Sequence, residues 1–132
     1  MSRKILLIED NAQNSYLVTF ILEQRGHEVV SVTDGAGGIA MAESMRPAII
    51  LLDIQLPVMD GYQVARELRA REALRETPIV AITSYAMAGD REKAVAAGCN
   101  GYIEKPIDPD TFGAEVERAM GPRKSDTNES GR

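Results

Sequence analysis

A chain of 132 residues is long enough to bury the core of one domain, and it is too short for two domains of ordinary size. Its net charge of −5 disfavours non-specific binding to nucleic acid and to anionic membrane surfaces. A single cysteine excludes an internal disulfide, and neither a membrane span nor a secretory signal is visible. We therefore expect a soluble, cytoplasmic protein that contacts neither nucleic acid nor a membrane directly.

Five short apolar runs predict β-strands along the chain. They occupy residues 5–8, 29–32, 49–52, 79–82 and, more weakly, 102–103. Three of these runs are unbroken Ile, Val, Leu and Ala, without alternating polar residues. Such runs are typical of strands that are buried on both faces of a sheet.

Segments of helical length lie between these runs and after the last one. We expect helices at residues 11–25, 36–45, 60–73, 86–97 and 108–120. The apolar face expected for the first helix consists of Leu17, Phe20, Ile21 and Gln24. The last helix is expected to open on Asp108-Pro109, which is a good cap followed by proline at the first helical position.

Strand and helix alternate five times, which predicts a parallel α/β sheet with right-handed crossovers and helices on both faces. Among the doubly wound folds, the flavodoxin-like strand order 2-1-3-4-5 needs only five strands and fits best. We expect one domain at residues 1–121. Residues 122–132 offer no apolar side chain to bury, so we expect a disordered C-terminal tail there.

Polar side chains follow all five predicted strands, and those after the second, Thr33 and Asp34, would lie away from the others in the assumed strand order. Glu9 and Asp10 follow the first strand, Asp53 the third and Thr83 the fourth, and Lys105 follows the fifth by two residues. Ligands of open parallel sheets bind outside the carboxyl ends of the strands. We therefore expect these five side chains to meet at one rim.

This set of side chains is suited to phosphoryl transfer. Three carboxylates packed together would raise the pKa of at least one of them, and a divalent cation relieves that repulsion. Carboxylate oxygens and water are ligands that suit Mg²⁺. Lys105 adds a positive charge and Thr83 a hydroxyl donor. A carboxylate such as Asp53 could attack phosphorus in line while the metal and Lys105 neutralise the charge of the transferred oxygens.

Further motifs lie beside these side chains. Together they are Glu9-Asp10-Asn11, Asp53-Ile54-Gln55-Leu56-Pro57, Met59-Asp60-Gly61, Thr83, Tyr102 and Lys105-Pro106. With these motifs in order, the chain resembles the receiver domain of two-component response regulators over roughly residues 3–120. The loop at residues 83–90 is also similar to that of single-domain receivers of the DivK type and of receivers fused to hybrid kinases.

The resemblance implies a role for each matching residue. Asp53 would be phosphorylated by a sensor histidine kinase or a histidine phosphotransfer protein. Mg²⁺ would be held by Glu9, Asp10, Asp53 and the backbone carbonyl of Gln55. Lys105 would pair with the phosphoryl group, Thr83 would bond to it, and Tyr102 would change rotamer as Thr83 moves. The resemblance also implies a cis bond between Lys105 and Pro106.

Such a protein is a signalling switch and not an enzyme, beyond assisting its own phosphorylation and dephosphorylation. We expect output through the face formed by the fourth helix, fifth strand and fifth helix, which would contact a downstream regulatory protein. Two alternatives stay open: a receiver fragment of a hybrid histidine kinase, and a pseudo-receiver that binds partners without being phosphorylated. A dehalogenase-type phosphatase is disfavoured because Gln55, not an aspartate, stands two residues after Asp53.

Four further features have ordinary interpretations. The lone His27 is expected at the surface, and Cys99 is expected to be structural because no partner lies at metal-binding spacing. The arginines at positions 66, 69, 71 and 75 are expected to form a solvated face. Ser84 stands where the family usually has alanine, which places a spare hydroxyl near the site.

Overall fold

The computed structural model describes residues 3–84 and 88–121 of the chain. The five strands are β1 (Lys4–Ile8), β2 (Glu28–Val32), β3 (Ile49–Asp53), β4 (Ile79–Thr83) and β5 (Gly101–Glu104). The five α-helices are α1 (Ala12–Gln24), α2 (Gly35–Met45), α3 (Gly61–Arg69), α4 (Asp90–Ala96) and α5 (Phe112–Met120). A short 3₁₀ turn spans Glu72–Leu74. Every predicted strand is present, and each is one or two residues longer than its apolar run.

All strand pairs are parallel, in the order β2-β1-β3-β4-β5, which confirms the predicted flavodoxin-like topology. The three unbroken apolar strands are β1, β3 and β4, and they occupy the centre of the sheet. Side chains alternate between its two faces, so in β3 Ile50 and Leu52 join one core while Ile49 and Leu51 join the other. Both faces are therefore buried, as the apolar runs indicated.

Helices cover both faces of the sheet. On one face, α1 and α5 supply Val18, Leu22, Phe112 and Val116 to the core. On the other face, α2, α3, α4 and the residue after α4 supply core side chains: Ile39, Ala42, Val64, Ala65, Leu68, Ala94 and Ala97. Each large side chain buried this way stabilises the fold by about 1.5–3 kcal/mol relative to its exposure. This packing holds the carboxyl ends of the strands in fixed positions.

Two helices begin four residues after their predicted starts. Helix α4 starts at Asp90, directly after Gly89 with a φ of +89°. Its predicted start at Ala86 falls among residues 85–87, which lie outside the described part of the chain. Helix α5 starts at Phe112, so the expected start at Asp108-Pro109 is wrong. The Asp108 side chain accepts a bond from the Asp110 amide, and its carbonyl accepts from Phe112. The side chain and carbonyl of Asp108 therefore form a tight turn ahead of α5.

The predicted buried face of α1 is also wrong in part. Val18, Ile21 and Leu22 face the core, whereas Phe20 is 51% exposed and Gln24 is exposed. The Phe20 ring lies beside that of Tyr16, with ring centroids 6.4 Å apart. Apolar residues occupy both sides of this helix, so their spacing alone could not tell which side faces the sheet.

His27 is buried, and the expectation of a surface residue is wrong. Its side chain is 5% exposed, and Nε2 lies 2.8 Å from Oε2 of Glu117 in α5. The same carboxylate accepts two hydrogen bonds from Arg25. These contacts join the end of α1 and the start of β2 to α5, and they hold the pKa of Glu117 at about 2, chiefly through the bonds from Arg25.

Arg69 does not belong to a solvated face. It is half-buried at the end of α3 and donates to backbone carbonyls of Leu74, Thr77 and Gly98 and to the Asn100 side chain. Burial lowers the pKa of its guanidinium. These hydrogen bonds from Arg69 therefore hold the segments that precede β4 and β5 against the end of α3. Cys99 beside it is buried, which raises the pKa of its thiol to about 11, consistent with a structural role.

Among residues 3–84 and 88–121, no helix is long and apolar enough to cross a lipid bilayer. The predicted tail at residues 122–132 lies outside the described residues.

Candidate functional site

Three strands of the sheet end in buried polar residues at the same rim. Asp53 is the last residue of β3, Thr83 is the last residue of β4, and Glu9 directly follows β1. Their exposed fractions are only 3%, 2% and 2%. Because β1, β3 and β4 are parallel neighbours, their carboxyl ends meet, and the predicted convergence is confirmed.

The acidic side chains form one cluster. Ligand oxygens of Glu9, Asp10 and Asp53 all lie within 4.8 Å of one another, and Asp10 is the exposed member. The Asn11 amide donates to Oε2 of Glu9 at 3.1 Å. The pKa of Glu9 is raised to about 7, first by burial and then by its contact with Asp53. The predicted rise of a pKa in this cluster is thus present, although burial contributes more than repulsion does.

Lys105 enters the cluster from the loop after β5. Its ammonium nitrogen lies 3.1 Å from Oε1 of Glu9 and 3.6 Å from Oδ2 of Asp53, and its side chain is 12% exposed. Its backbone amide donates to the carbonyl of Thr83 at 2.7 Å, which ties the loop to the end of β4. The Lys105–Pro106 peptide bond is cis, as the resemblance implied.

The loop after β3 holds Asp53 through its backbone. The Gln55 amide donates to Oδ1 of Asp53 at 2.9 Å. At Gly61, where α3 begins, a Cβ atom would clash with Cα of Ile54 and lie 2.7 Å from the carbonyl oxygen of Asp53. The start of α3 therefore packs against the strand end so closely that only glycine fits.

Two features of the loops were missed by the sequence analysis. Gln55 and Ser84 are joined across the mouth of the site, since both Oγ and the amide of Ser84 donate to Oε1 of Gln55, at 2.9 and 3.2 Å. Val58 has a φ of +67° with a fully exposed side chain, and the Met59 amide donates to the carbonyl of Pro57 around it. A β-branched residue in this conformation is strained, and such strain concentrates near functional sites. No sequence signal for either feature is visible.

Tyr102, the predicted switch residue, lies in β5 and packs against the core cluster on the α4 side of the sheet. Its hydroxyl is buried, without a hydrogen-bond partner among the described residues. The Arg91 guanidinium lies over its ring, 4.9 Å from the centroid. The ring is thus already turned inward, in contact with both the sheet and α4.

The donor set fits Mg²⁺. Three carboxylates within reach of one ion provide the hard oxygen ligands that Mg²⁺ prefers, and the exposed Asp10 leaves one side open to the water ligands that this ion retains. Among the described residues, this is the cluster of acidic, histidine or cysteine side chains with metal-binding geometry. The buried Glu9, with its raised pKa, would lose its proton to such an ion.

Comparison with known proteins agrees with this geometry. Residues 5–117 match the family model of the response regulator receiver domain. The polar-differentiation response regulators DivK of Brucella anthropi and Brucella ovis are each 35% identical to the chain over 121 residues, which is 92% of this chain and 98% of theirs.

Solved structures agree in fold as well. The receiver domain of the sensor histidine kinase PA1611 from Pseudomonas aeruginosa, with a magnesium ion coordinated in its active-site cleft, is 39% identical, with a TM-score of 0.84 over 92% of this chain and 100% of that one. The chemotaxis protein CheY4 of Vibrio cholerae is 27% identical, with a TM-score of 0.85 over 90% and 99%. The chain therefore belongs to the response regulator receiver domain family, whose members are phosphoryl-accepting signalling switches.

Proposed function

We propose that Asp53 accepts a phosphoryl group from a phosphohistidine on a sensor histidine kinase or a histidine phosphotransfer protein. The observation that carries this proposal is the contact of the buried Asp53 carboxylate with the Lys105 ammonium, at 3.6 Å, within the acidic cluster. A carboxylate at this place is buried enough to exclude bulk water, and the exposed Asp10 beside it is the side from which a donor would approach. Residues 1–121 would form the receiver domain.

In the proposed reaction, a carboxylate oxygen of Asp53 forms a bond to phosphorus as the bond from phosphorus to the donor's imidazole nitrogen breaks. That nitrogen then takes up a proton from water. Lys105 neutralises charge on the transferred oxygens, and the Thr83 hydroxyl donates to them. Mg²⁺, held by Glu9, Asp10, Asp53 and the carbonyl of Gln55, would supply further charge neutralisation. No substrate is turned over, so the chain acts as a switch and not as an enzyme.

The decisive variant is Asp53→Asn, which keeps the shape of the side chain and removes the nucleophile. Incubation with acetyl phosphate and Mg²⁺, followed by intact mass measurement, should give one phosphoryl adduct on the wild type and none on the variant. Asp60→Asn is a matched control, because Asp60 caps α3 and lies outside the acidic cluster. Equal labelling of Asp53→Asn and wild type would refute the assignment.

The donor would dock beside the site, on α1. This helix starts two residues after Asp10 and exposes the stacked rings of Tyr16 and Phe20. A groove of about 320 Å³ lies beside this helix, and its lining includes Phe20 and Pro109. A helical, histidine-bearing partner that packs on these rings would bring its phosphohistidine close to Asp53. Such donors are cytoplasmic, and we expect this protein in the same compartment.

Output would pass through the face formed by α4, β5 and α5, toward a downstream regulatory protein. Tyr102 and Ile103 are half-buried on β5, and Arg91 covers the Tyr102 ring. The other contacts expected there, Tyr85 and Met87, lie outside the described residues. A phosphoryl group on Asp53 would attract the Thr83 hydroxyl. The resulting movement of Thr83 would change the space next to Tyr102 and so the shape of this face. Tyr102→Ala should leave labelling of Asp53 intact and weaken partner binding in the beryllofluoride-bound state.

A further inference from the structure

A cavity of about 270 Å³ lies between α3 and α4. Its lining consists of two cations, one acid, one aromatic residue and two alanines: Arg66, Lys93, Asp60, Tyr62, Ala96 and Ala97. Tyr62 and Arg66 are one turn apart on α3, so they share the wall on that side. Lys93 and Ala96 are likewise one turn apart on α4. Because an alanine side chain is short, it leaves the gap between the two helices unfilled.

The two cations of this cavity form no ion pair among residues 3–84 and 88–121. The ion pairs of that part of the chain are made by other basic residues, namely Arg25, His27, Arg71 and Lys105. Arg66 and Lys93 are both exposed, although the chain as a whole has a net charge of −5. An anion between the two helices would be attracted to both cations.

Asp60 limits how much negative charge the cavity can accept. Its Oδ1 accepts a hydrogen bond from the Gln63 amide, so the carboxylate is fixed at the start of α3. The lining therefore keeps one positive charge in excess. Tyr62 is half-buried and packs against the core, and together with the two alanines it offers an apolar surface beside the charges. The lining thus combines an attraction for an acidic group with contact area for a small carbon skeleton.

We propose that the cavity between α3 and α4 binds a small organic anion, with a carboxylate or phosphate group held between Arg66 and Lys93. Sites for drug-sized ligands measure about 300–1,000 Å³, so this smaller cavity suits a molecule of few carbon atoms. An arginine can hold either acidic group through two parallel hydrogen bonds, and a lysine adds a point charge. No residue of the lining belongs to the acidic cluster at the rim, so the inference is independent of phosphorylation at Asp53.

Two probes with different acidic groups test the site: succinate and glycerol 3-phosphate. Each is titrated into the isotopically labelled full-length protein, without metal and at constant ionic strength, while the backbone amide signals are followed by NMR. We expect saturable shifts of the amides of α3 and α4, with a dissociation constant of about 1 mM or less. The amides of Gln55 and Lys105 should not shift, because the three carboxylates of the rim repel an anion when no metal is bound.

Charge variants at the cavity should change the affinity in opposite directions. Arg66→Gln and Lys93→Gln should each raise the dissociation constant about threefold to tenfold. Asp60→Asn should lower it about twofold to threefold, since a repelling charge is lost while asparagine still caps α3. Arg118→Gln and Glu23→Gln are matched controls, because they remove exposed charges of each sign from α5 and α1. Both controls should bind the probes with the wild-type affinity.

The spectrum of each variant without a probe shows whether its fold is kept. Absence of saturable shifts at α3 and α4 with both probes would overturn the proposal. Changes of affinity in Arg118→Gln and Glu23→Gln as large as those in the cavity variants would also overturn it, since the net charge alone would then attract an adventitious ion only. A blocked glutamyl peptide that shifts these amides when neither free anion does would mean that the cavity receives an acidic side chain of a protein.

Discussion

The ammonium of Lys105 lies 3.1 Å from Oε1 of Glu9, so the cation of this rim is shared between the buried glutamate and the proposed phosphoacceptor. The two residues come from opposite ends of the chain, one after β1 and the other after β5. Their contact joins the edge strand β5 to the centre of the sheet. The same contact also influences the protonation of the carboxylates at the rim and their binding of cations.

The raised pKa of Glu9 predicts a pH-dependent stability in the absence of metal. Its folded pKa of about 7 lies above the ordinary 4.5, so the folded state holds this proton more tightly than the unfolded state. The stabilisation is complete below about pH 4.5 and is lost as the pH rises through about 7. Urea unfolding should give a free energy of unfolding up to about 3 kcal/mol higher at the acidic end of this window.

Glu9→Gln should remove most of this dependence, because an amide does not titrate. Mg²⁺ should recover stability in the wild type above about pH 7, where Glu9 is ionised and can bind the ion. Equal pH profiles for the wild type and Glu9→Gln would contradict the assignment of the effect to Glu9.

Lys105→Arg should not preserve phosphorylation, although the charge is kept. The site receives a compact ammonium between Glu9 and Asp53, and a planar guanidinium is larger and directs its bonds differently. We expect the rate of labelling by acetyl phosphate to fall about tenfold to a hundredfold. Lys93→Arg, an exposed lysine of α4, is the control and should be labelled at the wild-type rate.

Phe20→Ala should weaken docking of a protein donor without affecting the phosphorylation reaction itself. Transfer from a phosphorylated histidine phosphotransfer protein should slow about tenfold or more, since an aromatic anchor at an interface is lost. Labelling by acetyl phosphate should be unchanged, because this small donor needs no docking surface. Val95→Ala removes another exposed apolar side chain, on α4, and should affect neither reaction. Equal loss with both donors would indicate a misfolded variant or a different docking face.

Tyr102→Phe should leave stability unchanged or raise it by up to about 1 kcal/mol. The hydroxyl is buried without a partner among the described residues, so its removal relieves a desolvation cost while keeping the ring under Arg91. Thermal and urea unfolding of the two proteins would measure this. A clear destabilisation would mean that the hydroxyl makes a bond in solution that the described residues do not provide.

Glu117→Gln should weaken the fold away from the phosphorylation site. The carboxylate accepts from Arg25 and contacts the buried His27, so its loss should cost about 1–2 kcal/mol near neutral pH. The pKa of Glu117 is depressed to about 2, so its contribution is present above about 4.5 and is lost as the pH falls through about 2. The difference from the wild type should shrink over that range in urea unfolding. Glu23→Gln, an exposed acid on α1, should show no such difference.

The strands and the composition of the site were predictable because each depends on residues close together in the chain. Unbroken apolar runs such as residues 49–52 have few alternatives to a buried strand, and parallel strands must present their last residues at one rim. Asp53, Thr83 and the acidic pair after β1 are therefore placed by local sequence once the alternating topology is recognised. The approach of Lys105 to this rim followed from the same argument, whereas its contact with Glu9 was not predicted.

Helix boundaries and faces were harder to predict. The later starts of α4 and α5 depend on competition between a turn and the first helical hydrogen bonds, as at Gly89 and Asp108. Phe20 is apolar in a helix with apolar residues on two sides, so only the packing of α1 on the sheet decides that its ring is exposed.

Sequence by itself determined the fold, the family resemblance and the residue types at the rim, whereas tertiary structure decided which distant side chains meet. His27 contacts Glu117, ninety positions along the chain, and Arg69 reaches Gly98. The hydrogen bond from the Ser84 hydroxyl to the Gln55 side chain likewise joins two separate loops. Such contacts leave no local pattern, because a hydrogen bond between elements depends on their relative placement in the packed core and on no periodicity within either element.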